Sequence, residues 1–488
     1  MNAISLDPWP VFALIKDRRW YAQKHRAADA VTIVDAADFT SATGARCRWL
    51  MLAVAPGDQI YSLTIEIAPG GTMTLVSPHL LLDRLMRDPL IATRRGGVLR
   101  FDGPSGAKES LPATYRLLDL GDSSNTVFET RFAGRRCAAK FFRKMDGNAR
   151  REVDTLRALD ALTVTPRLFA QIVHEHTGDE NPPQVIASFM EYIAGEPAYR
   201  PFQTAARSTL NAVLTGVPLP TLLTRETSVR RDICRAIGQG VAHFHTSAQR
   251  CGSADPARRL SSSEHGHVLG ARWRALLPLL HASTDLDGLV TPAALDQLTT
   301  LFAALPDRAR RAATDLRPSY GHGDLHLSHI ILGGPAGGCR IIDPANSVRE
   351  PKFWHHGAAD LFQLYRGLEN FAFDEAATRL QQDAGISRES AGRMLAAPAD
   401  DRQDDRIGCL MTFVRDWPTT VYEAILDAYR TNADAELSEP LRDPQWCAIF
   451  YLSRLLHETD YNIRYNRLFF RLCDWAFLTL AAKRLDSG

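Results

Sequence analysis

The chain has no CxxC pair, almost no net charge, no membrane-length apolar run and no internal repeat, and each absence closes off a class of function. Its 8 cysteines (47, 137, 234, 251, 339, 409, 447 and 473) are scattered, which argues against a disulfide framework or thiolate metal site. They read as reduced, mostly buried thiols of a cytoplasmic protein. The formal net charge of +1 supplies no global field for a nucleic-acid partner. The nearest approach to a membrane span, residues 468–482, is broken by Arg471 and Asp474, so no membrane partner is expected. Residues 1–7 lack a basic region followed by an apolar core, which speaks against a secretory signal.

What is present is an ordinary globular composition, 45% hydrophobic and 23% charged, over 488 residues, enough for about three domains. Residues 1–103 suggest an α+β unit. The run 48–54 has a buried-strand pattern, 61–68 nearly alternates, Pro69-Gly70-Gly71 turns the chain, and 79–95 returns to helical spacing. After a linker at 103–106, strands are expected near 115–120, 126–132, 136–143 and 185–190, with a helix over 148–161. From about 200 onward the pattern is helical, with a strong amphipathic helix over 233–245 and a polar break near 398–405.

The strongest chemical signal lies at 322–343. His322-Gly323-Asp324-Leu325-His326-Leu327-Ser328-His329 closes into the apolar Ile330-Ile331-Leu332, and a Gly-rich turn leads to Ile341-Ile342-Asp343. Phosphoryl transfer asks for a carboxylate to take the proton of an attacking hydroxyl and for ligands that hold Mg²⁺ on the phosphates. Asp324 fits the first role, His329 and Asp343 the second. A protein-kinase catalytic loop places a metal-binding Asn five residues after its Asp, and His329 has that offset from Asp324. The 19 positions from Asp324 to Asp343 leave room for a two-strand ribbon that returns both carboxylates to one end. An ordinary turn role is the competing reading of Asp324. Asp360 has the position of a buried aspartate bracing this loop, or equally of a helix-opening charge.

Upstream, Lys140 sits on the third strand of the expected sheet, where a kinase lysine holds the α- and β-phosphates, and Glu152 on the next helix is placed to pair with it. A solvated strand lysine is the alternative. The turn Gly121-Asp122-Ser123-Ser124-Asn125-Thr126 lacks GxGxxG, but Ser123, Ser124, Asn125 and Thr126 offer hydroxyl, amide and backbone donors to phosphate oxygens. His265-x-His267 and His355-His356 have no Cys or Glu partner at ligand spacing, and Arg308-Ala309-Arg310-Arg311 reads as a solvated helix face.

Together these stretches resemble the aminoglycoside phosphotransferase-like kinases, nearest the bacterial maltokinase branch that includes glucosamine kinases. Ser124-Asn125-Thr126-Val127 is similar to the phosphate-loop motif, and Lys140-Phe141-Phe142-Arg143 through Glu152 to the lysine strand and helix. His322-Gly323-Asp324-x-His326-Leu327 resembles the catalytic loop, and Asp360 to Arg366 the helix after it. Arg19-Trp20-Tyr21-x-x-Lys24 is similar to the N-terminal cap, and Tyr461-x-x-Arg464-Tyr465 to the end of the acceptor-binding helices.

The resemblance implies an α+β, protein-kinase-like bilobal fold: a cap over 1–103, a small β-rich lobe over 104–195 and a helical lobe over 196–488. It implies ATP with Mg²⁺, or Mn²⁺, as cofactors and transfer of the γ-phosphate to a hydroxyl of a small sugar-like or amino-sugar acceptor. Asp324 would be the base, His326 an acceptor-orienting group, and His329 and Asp343 the metal ligands. Lys140 with Glu152 would hold the phosphates, backbone from Glu191 to Ile193 the adenine, and Tyr461, Arg464 and Tyr465 the acceptor. An antibiotic phosphotransferase and a regulatory nucleotide-binding pseudokinase are the alternatives. The chain departs from the family at His329 (Gln or Asn there), at Asp343-Pro344-Ala345, and at Asn462 and Asn466, where carboxylates are usual; those amides are expected to alter which acceptor groups are held.

Overall fold

Among the described residues, two β-sheets packed face to face form the first part of the chain, and helices with a small three-stranded sheet form the rest. Its computed structural model describes every residue except 1–6, 19, 22–26, 57–58, 104–113, 119–124, 133, 161–162, 177–182, 252–258, 313–314, 334–337, 345–355, 398–404 and 487–488. Ser123 and Ser124, most of the linker, the 398–405 break and much of the cap motif at 19–24 therefore lie outside the described residues. The chain divides into two compact units, residues 1–161 with 166–193, and residues 162–165 with 194–488. No helix is long and apolar enough to cross a membrane.

The first unit opens with α1 (Pro8–Ala13) and an antiparallel sheet of β1 (Ala30–Thr40), β2 (Arg46–Ala55), β3 (Gln59–Ile67) and β4 (Met73–Leu75). β2 is buried along most of its length because both faces are covered. Leu50, Leu52 and Tyr61 pack with Val11 and Tyr21 on one side. Trp49 and Met51 on the other join Ile172, Phe141 and Phe189 of a second sheet.

That second sheet follows α2 (His79–Arg87). It contains β5 (Leu90–Ala92), β6 (Gly97–Asp102), β7 (Arg116–Leu117), β8 (Asn125–Phe132), β9 (Arg135–Phe142), β10 (Leu168–His176) and β11 (Gln184–Glu191), in the order β5-β6-β10-β11-β9-β8-β7. The helix α3 (Asn148–Ala158) covers its other face through Ala149 and Val153, against Phe142, Val173 and Val185.

Two sequence expectations change here. The helix expected through residue 95 stops at Arg87, because Pro89 carries no N–H and disfavours helical backbone at the residue before it. The next residues form β5, which pairs with β6. Strands β1 and β10 gave no alternating signal, because Asp35, Gln171 and His174 occupy buried positions that an apolar-polar pattern assigns to hydrophobics.

The second unit starts with β12 (Glu196–Pro197), then α4 (Tyr199–Leu214), α5 (Leu219–Val229), α6 (Arg231–Cys251), α7 (Ser262–His281) and α8 (Pro292–Ala312). The ribbon β13 (Ile330–Leu332) and β14 (Cys339–Ile341) pairs with β12, as the spacing of the two aspartates suggested. Helices α9 (Ala358–Ala384), α10 (Arg388–Ala396), α11 (Asp405–Asn432), α12 (Ala435–Ser438), α13 (Pro444–Arg464) and α14 (Leu468–Asp486) complete it. α6 crosses α11 closely at Gly238, where a Cβ would meet the Ile425 carbonyl oxygen at 2.4 Å.

The first unit's core centres on Phe189, fully buried with ring centroids of Phe101, Phe141 and Phe132 at 5.6, 6.2 and 6.4 Å. Phe189→Ala is expected to cost about 3–5 kcal/mol. Chemical denaturation measures it, and an unchanged midpoint would show that these rings do not carry the inter-sheet packing.

Candidate active site

In the first unit the α3 face of the second sheet holds the expected phosphate lysine. Lys140 on β9 donates to Glu152 Oε2 on α3 at 2.7 Å, with both side chains 6% exposed. A pair this buried is retained only with good geometry, since removing one partner strands the other charge. Directly opposed residues of antiparallel strands share a face. Lys140 opposes Val127 on one side and Ser188 on the other, so these share its face, as does Asn125 two residues from Val127. Thr126 opposes Phe141 and belongs to the other face, with Trp20 and Trp49 around the same cavity. Of the expected phosphate-turn residues that are described, Asn125 thus has its side chain on the lysine face and Thr126 does not. At the end of β11, the Glu191 amide donates to the Arg167 carbonyl at 2.8 Å and the Tyr192 amide to that of Arg136 at 3.3 Å, with Ile193 following.

In the second unit the catalytic-loop stretch is built around Asp360 at the start of α9. Its carboxylate, 3% exposed, accepts the His322 and Gly323 amides, and it meets His245 Nε2 at 2.9 Å. Burial raises its pKa, but the His245 bond and the backbone amides outweigh this and hold it below the ordinary value. Asp360 is therefore the buried brace rather than a solvated helix-opening charge. Gly321 is required beside it, since a Cβ would meet Asp360 Oδ2 at 2.8 Å.

The imidazoles of the loop have readable tautomers. His322 Nε2–H donates to the Ile342 carbonyl at 2.8 Å, and its Nδ1 accepts the Asp324 amide at 3.3 Å, which ties the loop to the residue before Asp343. His329 Nδ1–H donates to the Asp324 carbonyl at 2.8 Å, leaving Nε2 with a lone pair 3.9 Å from Asp343 Oδ2. Burial lowers the pKa of both His322 and His329 to about 4, so both rings are neutral near pH 7. Asp343 has φ 58°, left-handed backbone that is uncommon for a non-glycine residue. A neutral imidazole nitrogen facing a carboxylate is a donor set that fits a divalent ion. His326 joins the cluster, its ring 3.6 Å from that of His329, and ligand atoms of Asp324, His326 and His329 all lie within 4.8 Å.

Asp324 itself is half-exposed. Burial raises its pKa, and electrostatic interaction with the His326 and His329 rings and with Arg454, together with a bond from Gln363, outweighs this, so it sits below the ordinary value. Gln363 Nε2 donates to Asp324 Oδ1 at 2.6 Å and Arg454 Nη2 lies 3.9 Å from the same oxygen. Sequence reasoning missed both. Gln363 stands three residues after Asp360, about one helical turn, and that spacing was the available signal. Arg454 is 130 residues from Asp324 and gave none. Its Nε donates to Glu458 Oε1 at 2.8 Å. The other Glu458 oxygen takes Arg366 Nε at 3.1 Å, and fully buried Arg366 also holds Glu369 and Asp474 at 2.6 and 2.9 Å.

The acceptor candidates lie at the end of α13. Tyr461 is exposed and its ring is 4.3 Å from that of Tyr465, while Arg464 is paired with Asp460 at 2.8 Å. Asn462 and Asn466, the departures near the acceptor motif, both have intramolecular partners. Asn462 is buried and donates to Asp474 at 2.8 Å, while Asn466 is exposed and accepts from Arg471 at 2.6 Å.

Residues 114–351 match the model of the phosphotransferase enzyme family, which agrees with the resemblance read from the motifs. No curated protein matches the chain. Among solved structures, a glucosamine kinase in complex with glucosamine, ADP and inorganic phosphate is 14% identical, covers 99% of each chain and has a TM-score of 0.51. A second crystal form of glucosamine kinase, also 14% identical, covers 99% of this chain and 98% of its own, with a TM-score of 0.54. The chain has the α+β, kinase-like fold of these proteins.

The neutral histidines make stability pH-dependent. Burial holds His322 at about 4 and His356 at about 3, against 6.5 for a free imidazole. The unfolded chain binds more protons below pH 6.5, so stability falls as pH is lowered from 6.5 towards 4. Melting temperature across this range reports it; a flat profile would contradict neutral, buried imidazoles.

Proposed function

Starting from a phosphotransferase-family segment within a kinase-like fold, we propose that this chain transfers the γ-phosphate of ATP to a hydroxyl of a small polyhydroxylated, sugar-type acceptor. The observation that carries the proposal is the catalytic loop: Asp360 fixes its amides, Gln363 and Arg454 address one oxygen of Asp324, and His329 presents a bare nitrogen beside Asp343.

In this reading Asp324 orients the acceptor hydroxyl and takes its proton as transfer proceeds. Its depressed pKa keeps it ionised near neutrality, and Gln363 restricts its rotation. His326, bonded to Ser328, orients the acceptor. Lys140, held by Glu152, binds the α- and β-phosphates, with Asn125 beside them and the backbone from Glu191 to Ile193 for the adenine. His329 and Asp343 would hold the divalent ion, which neutralises phosphate charge when bound. Because one ligand is an imidazole, Mn²⁺ is better served relative to Mg²⁺ than by an all-oxygen pair. Tyr461 and Tyr465 offer ring faces to a sugar.

The charges near Asp324 favour a neutral or acidic acceptor over a polycationic antibiotic. Such a drug wants uncommitted carboxylates. Glu458 is held by Arg366 and Arg454, and Arg454 places a guanidinium next to Asp324.

Phosphate transfer from radiolabelled ATP, screened over neutral sugars, amino sugars and aminoglycosides with each metal, tests the proposal. We expect transfer to a sugar-type acceptor, a loss of about 10²–10⁴-fold in kcat for Asp324→Asn, and a shift towards Mg²⁺ for His329→Asn. ATP binding without transfer to any acceptor would defeat the enzyme reading, and an unchanged metal preference in His329→Asn would remove that residue from the metal site.

A further inference from the structure

The phosphotransfer machinery makes no use of a buried polar cluster in the first unit, where β1 of the first sheet faces β10 of the second. Asp35 on β1 has a fully buried carboxylate side chain. His174 Nε2 lies 2.9 Å and His176 Nε2 3.8 Å from its Oδ2, and one ligand atom from each of the three lies within 4.8 Å of the others. We propose that Asp35, His174 and His176 form a binding site for one divalent transition-metal ion of the zinc type.

The strand geometry favours this. Residues separated by two on a strand project to one face, so His174 and His176 are presented side by side towards Asp35, with ring centroids 5.3 Å apart. Two imidazole nitrogens and one carboxylate oxygen suit zinc and its neighbours, and are a poor set for Mg²⁺ or Ca²⁺, which prefer all-oxygen shells. The supporting contacts resemble the outer shell of a metal centre: Asp35 Oδ1 accepts the Ala36 and Arg95 amides at 2.7 and 3.2 Å, and Thr93 Oγ1 donates to Oδ2 at 2.6 Å. Gly97 leaves the space the cluster needs, since a Cβ there would meet His174 Nε2 and Thr93 Oγ1, each at 2.9 Å. Both imidazoles also line a cavity of about 520 Å³ with Arg150 and Gln184, which provides an open side for a water or a fourth ligand.

A purely structural brace accounts for less of this. Thr93, His174 and two amides already satisfy Asp35, and His176, one-third exposed on its side chain, is not needed for that. Metal binding would take the Nδ1–H tautomer of His174, the ring proton moving from Nε2 to Nδ1, so that Nε2 turns its lone pair to the ion and its hydrogen bond to Asp35 is replaced by shared coordination.

Titration of the full chain with Co²⁺, followed by its visible ligand-field absorption and by competition with Zn²⁺, tests the site. His176→Gln is the variant of choice because its partly exposed side chain can change without emptying the core, and Asp343→Asn separates this site from the catalytic loop. We expect a Co²⁺ absorption that Zn²⁺ displaces, that persists in Asp343→Asn, and that needs at least about tenfold more metal in His176→Gln. No stoichiometric ion, or equal affinity in His176→Gln and the unaltered protein, would overturn the assignment.

Discussion

The carboxylate of Asp360 is the constraint on which the candidate catalytic centre depends. A buried charge is tolerated only when its oxygens are fully engaged. Here the engagement is with the amides of His322 and Gly323 and the imidazole of His245, itself in contact with the Tyr429 hydroxyl at 2.9 Å. With those amides fixed, the rest of the loop has little freedom. His322 can donate to Ile342 and accept from Asp324 only as the Nε2–H tautomer, and that links the loop to the strand carrying Asp343. The Asp324 carbonyl then takes the Nδ1 proton of His329, which is why the nitrogen facing Asp343 is the bare one. One buried carboxylate thus sets the chemistry of a ring more than thirty residues earlier in the chain.

A second buried ion network supports the opposite side of Asp324. Arg366, Glu369, Glu458 and Asp474 join α9, α13 and α14, and Glu458 passes the constraint to Arg454. Burial and the neighbouring Glu458 together raise Asp474 to about 7 despite Arg366. Networks of this kind are weak sources of net stability, because desolvation offsets most of the attraction. What this one supplies is position: a long, flexible arginine is held 3.9 Å from the carboxylate of Asp324, the candidate base. That same guanidinium gives the centre a charge character that differs from a pocket for cationic drugs.

Residues close in the chain were legible in the sequence, and residues brought together by the fold were not. Asp324, His329 and Asp343 fall within one strand–turn–strand ribbon, and Lys140 and Glu152 within one strand–helix unit, so spacing alone brought them together. Gln363 and Arg454 come from two other helices. Their role appears only once α9 and α13 are packed, and an exposed helix face would account for either residue as well. The missed strands β1 and β10 have a related cause: their buried positions carry Asp35 and His174, whose mutual bond replaces the hydrophobic pattern by which strands are recognised. The inward turn of Asn462 to the buried carboxylate of Asp474 was likewise not legible, because the sequence does not say which face of α13 is covered.

In the proposed phosphotransfer centre a neutral imidazole, His329, takes the place of an amide as a metal ligand. Electron-spin-echo spectroscopy of the Mn²⁺- and ADP-loaded protein tests this, carried out with His174→Gln and His176→Gln both in place so that neither imidazole of the cluster at Asp35 adds a nitrogen signal. Nitrogen modulation from one directly bound imidazole is expected, lost when His329→Asn is added. A spectrum without nitrogen coupling, or with coupling that survives His329→Asn, would contradict it.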